Sequence, residues 1–82
     1  MATVKFFASV KNRMGLDEVS IQLDKPVALR EILVIAAEKA SKDPAILISS
    51  GMLYAVNQDI AQVGDMVDDS DEIAILPPMS GG

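Results

Sequence analysis

The side chains that most often carry chemistry near neutral pH are missing from this chain of 82 residues: it has neither His nor Cys. Their absence excludes Ser-His-Asp triads, Cys-His dyads, disulfides and metal sites built on imidazole or thiolate. It also leaves no general base tuned to the physiological range. What remains is an end group. The sequence closes Leu76-Pro77-Pro78-Met79-Ser80-Gly81-Gly82. A Gly-Gly ending arises by chance in roughly half a per cent of chains, given Gly at about 7% of residues. Two residues without Cβ make the narrowest peptide available, one that threads a tunnel closed to any side chain. Pro77 and Pro78 stiffen the exit and aim the tail away from the body. The expected reactive group is therefore the α-carboxylate of Gly82, with the catalysts supplied by a partner. A frayed end of no consequence is the competing reading.

Other clusters carry weaker signals. Asp65, Asp68, Asp69, Asp71 and Glu72 gather near one turn. They lack the spacing and the Gly of a calcium loop, so a solvated turn is expected and no metal site. A basic surface on a partner is their alternative role. Met14, Met52 and Met66 read as gap-fillers, whereas Met79 lies in the tail and touches a partner. Seven basic against twelve acidic residues give a net charge of −5, which argues against nucleic acid as a ligand. No stretch approaches the ~20 apolar residues of a membrane span, and the first residues lack the apolar run of a leader. The expectation is a cytoplasmic, soluble, acidic domain that binds neither nucleic acid nor membrane. Half the residues are apolar. So small a domain cannot hide them all, and some face a partner.

These residues need a scaffold. Thr3 to Ala8 is rich in β-branched and aromatic residues and predicts a first strand, with Val4, Phe6 and Ala8 on one face and Lys5 and Phe7 on the other. Lys11 to Asp17 reads as a connection, with Gly15 at positive φ. Glu18 to Leu23 alternates polar and apolar throughout and predicts a second strand in a hairpin with the first. Pro26 can open a helix. Leu29, Ile32, Leu33, Ala36, Ala37 and Ala40 follow helical spacing, up to a stop before Asp43. Asp43-Pro44 reads as the cap and first position of a short helical turn, with Gly51 ending that region. Met52 to Asn57 is a third strand, 57–69 is irregular or holds short strands, and Glu72 to Leu76 is the last strand, closed by proline.

The order is β, β, α, β, β. The long helix must cover one face of a sheet in which the first and last strands pair centrally. This predicts an α+β, ubiquitin-like β-grasp: a mixed sheet of four to five strands, one main helix on one face, a domain over 1–76 and a flexible, projecting tail over 77–82. If Val4, Phe6, Ile73 and Ile75 face the helix, Phe7 and Leu76 face solvent, side by side at the base of the tail. Together with Ile60 they suggest a docking patch.

Pro77-Pro78-Met79-Ser80-Gly81-Gly82 resembles the Pro-Pro-x-x-Gly-Gly ending of the small subunits of molybdopterin synthase. Lys5-Phe6-Phe7-Ala8, Leu29-Arg30-Glu31, Ala55-Val56-Asn57-Gln58 and Asp71-Glu72-Ile73-Ala74 match in order along the whole length. The resemblance implies a sulfur carrier that is not itself an enzyme and binds no cofactor. An E1-like adenylyltransferase would use ATP to form an acyl-adenylate at Gly82. A sulfurtransferase or cysteine desulfurase would supply the sulfur that gives a thiocarboxylate. The large synthase subunit, in a heterotetramer of two small and two large chains, would admit the tail and convert cyclic pyranopterin monophosphate to the dithiolene. It further implies that Gly81, Ser80 and Met79 thread that active site, and that Phe7, Ile60, Leu76, Pro77 and Pro78 form the partner surface. The alternatives are a carrier for thiamine or a tungsten cofactor, and a modifier conjugated to lysines through Gly82. Two departures stand out. Ser70 replaces a glycine usual before the last strand, a cost of roughly 1 kcal/mol if its φ is positive. Lys25-Pro26-Val27 lacks the Ser or Thr that often caps the helix.

Overall fold

The structure, a computed structural model, describes residues 1–78. Strand β1 (Ala2–Phe6) buries Ala2, Val4 and Phe6 and leaves Thr3 and Lys5 on its other side. Its N–H and C=O groups are taken up on both edges. It pairs antiparallel with β2 (Glu18–Ile21) and parallel with β7 (Glu72–Leu76). The remaining strands are β3 (Val27–Ala28), β4 (Leu53–Val56), β5 (Asp59–Ala61) and β6 (Met66–Val67). The main sheet has the order β2-β1-β7-β4-β5, and β3 and β6 form a separate two-stranded ribbon. First and last strands thus meet at the centre, as the β-grasp order requires.

Helix α2 (Leu29–Lys39) presents Leu29, Ile32, Leu33, Ala36 and Ala37 as one buried stripe. That stripe packs against the inward residues of the sheet, Val4, Phe6, Ile21, Ile73 and Ile75 among them. The helix begins at Leu29, later than Pro26 suggested. The missing Ser or Thr cap is explained by what replaces it. The first N–H groups, of Leu29 and Arg30, donate to the carbonyls of Asp65 and Val63 at 2.8 and 2.9 Å. Backbone from the neighbouring loop therefore satisfies donors that a side-chain cap ordinarily serves. At the far end Ser41, at φ 57°, turns the chain, and the Lys42 N–H closes on the Ala37 carbonyl at 2.9 Å.

Three further expectations need correction. The connection at 11–17 is mostly helical: a second, seven-residue helix α1 (Ala8–Met14) buries Val10 and Met14 and stops at Gly15, φ 75°. Only two apolar residues mark its inner face, and no side chain caps its start, so periodicity alone could not carry it. Ala8 belongs to that helix, exposed and at φ 52°, not to the buried face of β1. The second strand ends at Ile21 because its partner Ala2 is the first residue of β1. Beyond it the Leu23 N–H goes instead to Asp69 Oδ1, at 2.8 Å. Ser70 has no positive φ. The turn closes by an Asp71 N–H to Asp68 carbonyl bond of 3.1 Å, a type that L-residues accept without strain. Among the described residues no helix is long and apolar enough to cross a membrane.

Candidate functional site

The sheet has one covered face and one open face. Pairing fixes what lies on the open one. Glu18, Lys5, Ala74, Ala55 and Ile60 are directly opposite one another from strand to strand, forming a row across the sheet. The next row toward the chain end is Leu53 against Leu76. Phe7 extends it: its N–H donates to the Ile75 carbonyl at 3.2 Å, one step beyond the Phe6–Ile75 pair, which sets it beside Leu76.

The open face divides by character. At the β2–β1 side it is charged, with Lys5 Nζ 3.3 Å from Glu72 Oε1. At the β7–β4–β5 side it is apolar: Phe7 is 43% exposed, Leu53 41%, Leu76 36% and Ile60 78%. Ala55 and Ala74, both half-buried, lie between these larger residues. The result is a shallow apolar surface, bordered by charge and continuous with the strand that leads into the tail. Lone exposed apolar side chains are ordinary; four in adjoining rows have the composition of the centre of an interface.

Of the expected surface residues, Phe7, Ile60 and Leu76 fall on this face. Leu53 was missed. The signal was available: Tyr54 is a buried strand residue, so Leu53 beside it must point the other way. Pro77 is half-buried and Pro78 exposed, both directly after β7. Met79, Ser80, Gly81 and Gly82 lie outside the described residues.

The acidic residues hold the fold's turns. Asp69 Oδ1 accepts the Leu23 N–H and its Oδ2 lies 3.3 Å from the α-amino group of Met1. The Leu23 N–H first, and the amino group second, hold the Asp69 carboxyl below its usual range. Asp65 Oδ2 accepts the Gln62 N–H at 2.8 Å, and Asp71 Oδ2 the Asp68 N–H at 2.8 Å. Asn57 joins this turn to the β4–β5 hairpin. Its Nδ2 donates to Asp71 Oδ1 at 2.9 Å and its Oδ1 accepts the Glu72 N–H at 3.0 Å. Carboxylates engaged in this way are turn staples. Among the described residues no group of three or more His, Asp or Glu is arranged to hold a metal ion. Tyr54 is also structural. Its hydroxyl donates to the Leu47 carbonyl at 2.6 Å, and burial raises its pKa.

Among the described residues the geometry offers an apolar surface to dock, next to the strand that leads into Pro77 and Pro78, and no constellation of catalytic side chains. Known proteins fit that picture. The profile of the ThiS family matches residues 4–82. The molybdopterin synthase sulfur carrier subunit of Haemophilus influenzae is 34% identical over 84 residues, an alignment covering all of both chains. Among solved structures, small archaeal modifier protein 1 of Methanosarcina acetivorans matches at a TM-score of 0.79 and 23% identity, covering 99% of this chain and 95% of that one. The Helicobacter pylori complex of subunits 1 and 2 of molybdopterin-converting factor contains a chain that matches at a TM-score of 0.63 and 24% identity, covering 99% and 97%. The two structural likenesses establish the shared fold.

Proposed function

Because the chain belongs to the ThiS family, we propose that it works as the sulfur carrier subunit of molybdopterin synthase, carrying sulfur on its end group. The observation that carries this reading is the full-length match to a sulfur carrier subunit, 34% identical. The chain's own chemistry supports it. With no His and no Cys it has no side chain suited to nucleophilic attack or to proton transfer near neutrality. A carboxylate of ordinary reactivity must be activated from outside, so an ATP-dependent adenylyltransferase forms an acyl-adenylate at Gly82. A sulfur donor then displaces AMP to leave a thiocarboxylate.

The partner is the large subunit, which binds the apolar open face through Phe7, Leu53, Ile60 and Leu76. Pro77 and Pro78 direct residues 79–82 into its active site, where Gly81 and Gly82 pass because they lack side chains. The large subunit supplies the basic groups for an anionic pterin phosphate. A carrier of net charge −5 repels that substrate and favours a basic partner surface. The reaction belongs in the cytoplasm, where ATP is available.

The test is the intact mass of the protein after incubation with adenylyltransferase, ATP and a sulfur donor. A gain equal to the difference between sulfur and oxygen is expected, and deletion of Gly82 should abolish it while leaving the thermal transition unchanged. The same gain in the protein lacking Gly82 would contradict the assignment of the end group. Lysine-linked adducts in cells, without pterin conversion, would identify a protein modifier instead.

A further inference from the structure

The β4–β7 ladder runs antiparallel through Val56–Ile73, Ala55–Ala74, Tyr54–Ile75 and Leu53–Leu76. Continued by two residues, the register sets Gly51 opposite Pro78. Proline has no N–H, so Pro77 and Pro78 cannot extend the hydrogen-bonded ladder. Pro78 instead rests its ring against the chain at Gly51. A Cβ placed on Gly51 falls 3.0 Å from Pro78 Cβ and 3.3 Å from its Cγ. Gly51 has φ 86°, so glycine is favoured there twice, by backbone conformation and by the close approach of the ring.

This seat is held firmly. Leu47 is fully buried, and the Tyr54 hydroxyl ties its carbonyl to β4 at 2.6 Å. The Met52 N–H closes the intervening turn on the Ser49 carbonyl at 3.2 Å. Pro78, the last described residue, is therefore braced against a loop that is itself anchored in the core.

We propose that Gly51 is a positioning residue for sulfur transfer: its bare Cα lets Pro78 seat on the 47–52 loop and so fixes where the tail leaves the body. This rests on the carrier reading. It assigns a role in transfer to a residue that lies outside both the tail and the apolar surface. A Cβ at Gly51 displaces Pro78 and misaligns the reacting end without altering the face that binds the large subunit. Misplacement of a reacting group by about 1 Å can slow a reaction by up to about a hundredfold.

The molecule contains its own control. Gly15 also has positive φ, 75°, but a Cβ there meets nothing within 4 Å. Gly15→Leu and Gly51→Leu therefore impose comparable backbone strain, and only the second touches Pro78. The experiment loads wild type and both variants with sulfur and measures pterin conversion by the large subunit at a temperature well below every melting transition. The expected result is a fall in kcat of about tenfold for Gly51→Leu, with KM for the carrier within twofold of wild type, and no change in either constant for Gly15→Leu. Equal kcat for Gly51→Leu and wild type overturns the inference and leaves the carrier reading intact. Equal losses in the two variants assign the effect to stability and overturn it too. Three proteins that load but all fail to convert the pterin overturn the carrier reading and the inference together.

Discussion

Phe6 and Phe7 are adjacent in sequence and have opposite fates. Phe6 is 3% exposed and lies in the core under α2; Phe7 is 43% exposed and lies on the open side. Ile75 and Leu76 repeat the contrast on β7, at 0% and 36%, and Tyr54 and Leu53 on β4, at 7% and 41%. Three neighbouring strands thus divide their residues between holding the domain together and presenting a surface. The period of the strand makes this economical, since a single register fixes both faces. A one-residue slip would exchange them, so the apolar open face cannot vary independently of the core.

Truncating each phenylalanine in turn should separate their two roles by the widest margin. Phe6→Ala opens a cavity in the packed core and should cost about 3–5 kcal/mol of stability. Phe7→Ala should cost well under 1 kcal/mol, since much of its ring already meets water. Comparable midpoint shifts in denaturant would show that the two faces are not functionally divided. Next in size is binding. Leu53→Asp or Phe7→Ala should weaken association with the large subunit by about 2 kcal/mol, as expected when an interface anchor is lost, with little effect on melting. Titration calorimetry showing wild-type affinity for both variants would remove the apolar face from the interface.

A smaller effect, on stability alone, is expected at the β4–β5 hairpin. Asn57 and Gln58 form the two-residue turn between β4 and β5 with φ of 52° and 74°, the geometry that favours Asn-Gly. Gln58→Gly should stabilise the protein by roughly 0.5–1 kcal/mol and leave partner binding unchanged, because the residue lies at the hairpin tip, outside the row containing Ala55 and Ile60. A lower melting temperature in this variant would contradict the turn assignment.

The smallest effect concerns acid. Asp69 has its carboxyl held below the usual range by the Leu23 N–H and then the amino terminus. A folded-state pKa below the unfolded one gives stability that is present above the unfolded value and lost as pH falls through the folded value. Asp69→Asn should therefore flatten the acid side of the stability profile, below about pH 4. An unchanged acid limb would assign the loss to other carboxylates.

Much of this was legible in the residues. The alternation in Val4–Phe6 and in Ile73–Ile75 fixed the inward face, and the order of elements brought β1 and β7 together. Phe7 and Leu76 followed from that face assignment, and Ile60 was added to them from a segment read as irregular. What escaped was set by tertiary context. Helix α1 has two inward residues and no side-chain cap, so nothing local distinguishes it from a loop. The start of α2 depends on carbonyls of residues 63 and 65, more than thirty positions away, and no inspection of 25–29 could supply them. Leu53 is a different case: its alternation with Tyr54 was readable within β4 itself and was overlooked. Gly51 was legible as a terminator; its contact with Pro78 arises only when β4 and β7 are paired.

On the carrier reading this chain delivers sulfur while its partner performs the chemistry. The direct test mixes sulfur-loaded protein with the pterin precursor, with and without the large subunit, and assays the dithiolene product. Product only when both proteins are present is the predicted result. Product from the loaded chain alone, or none from the complete mixture, would contradict it.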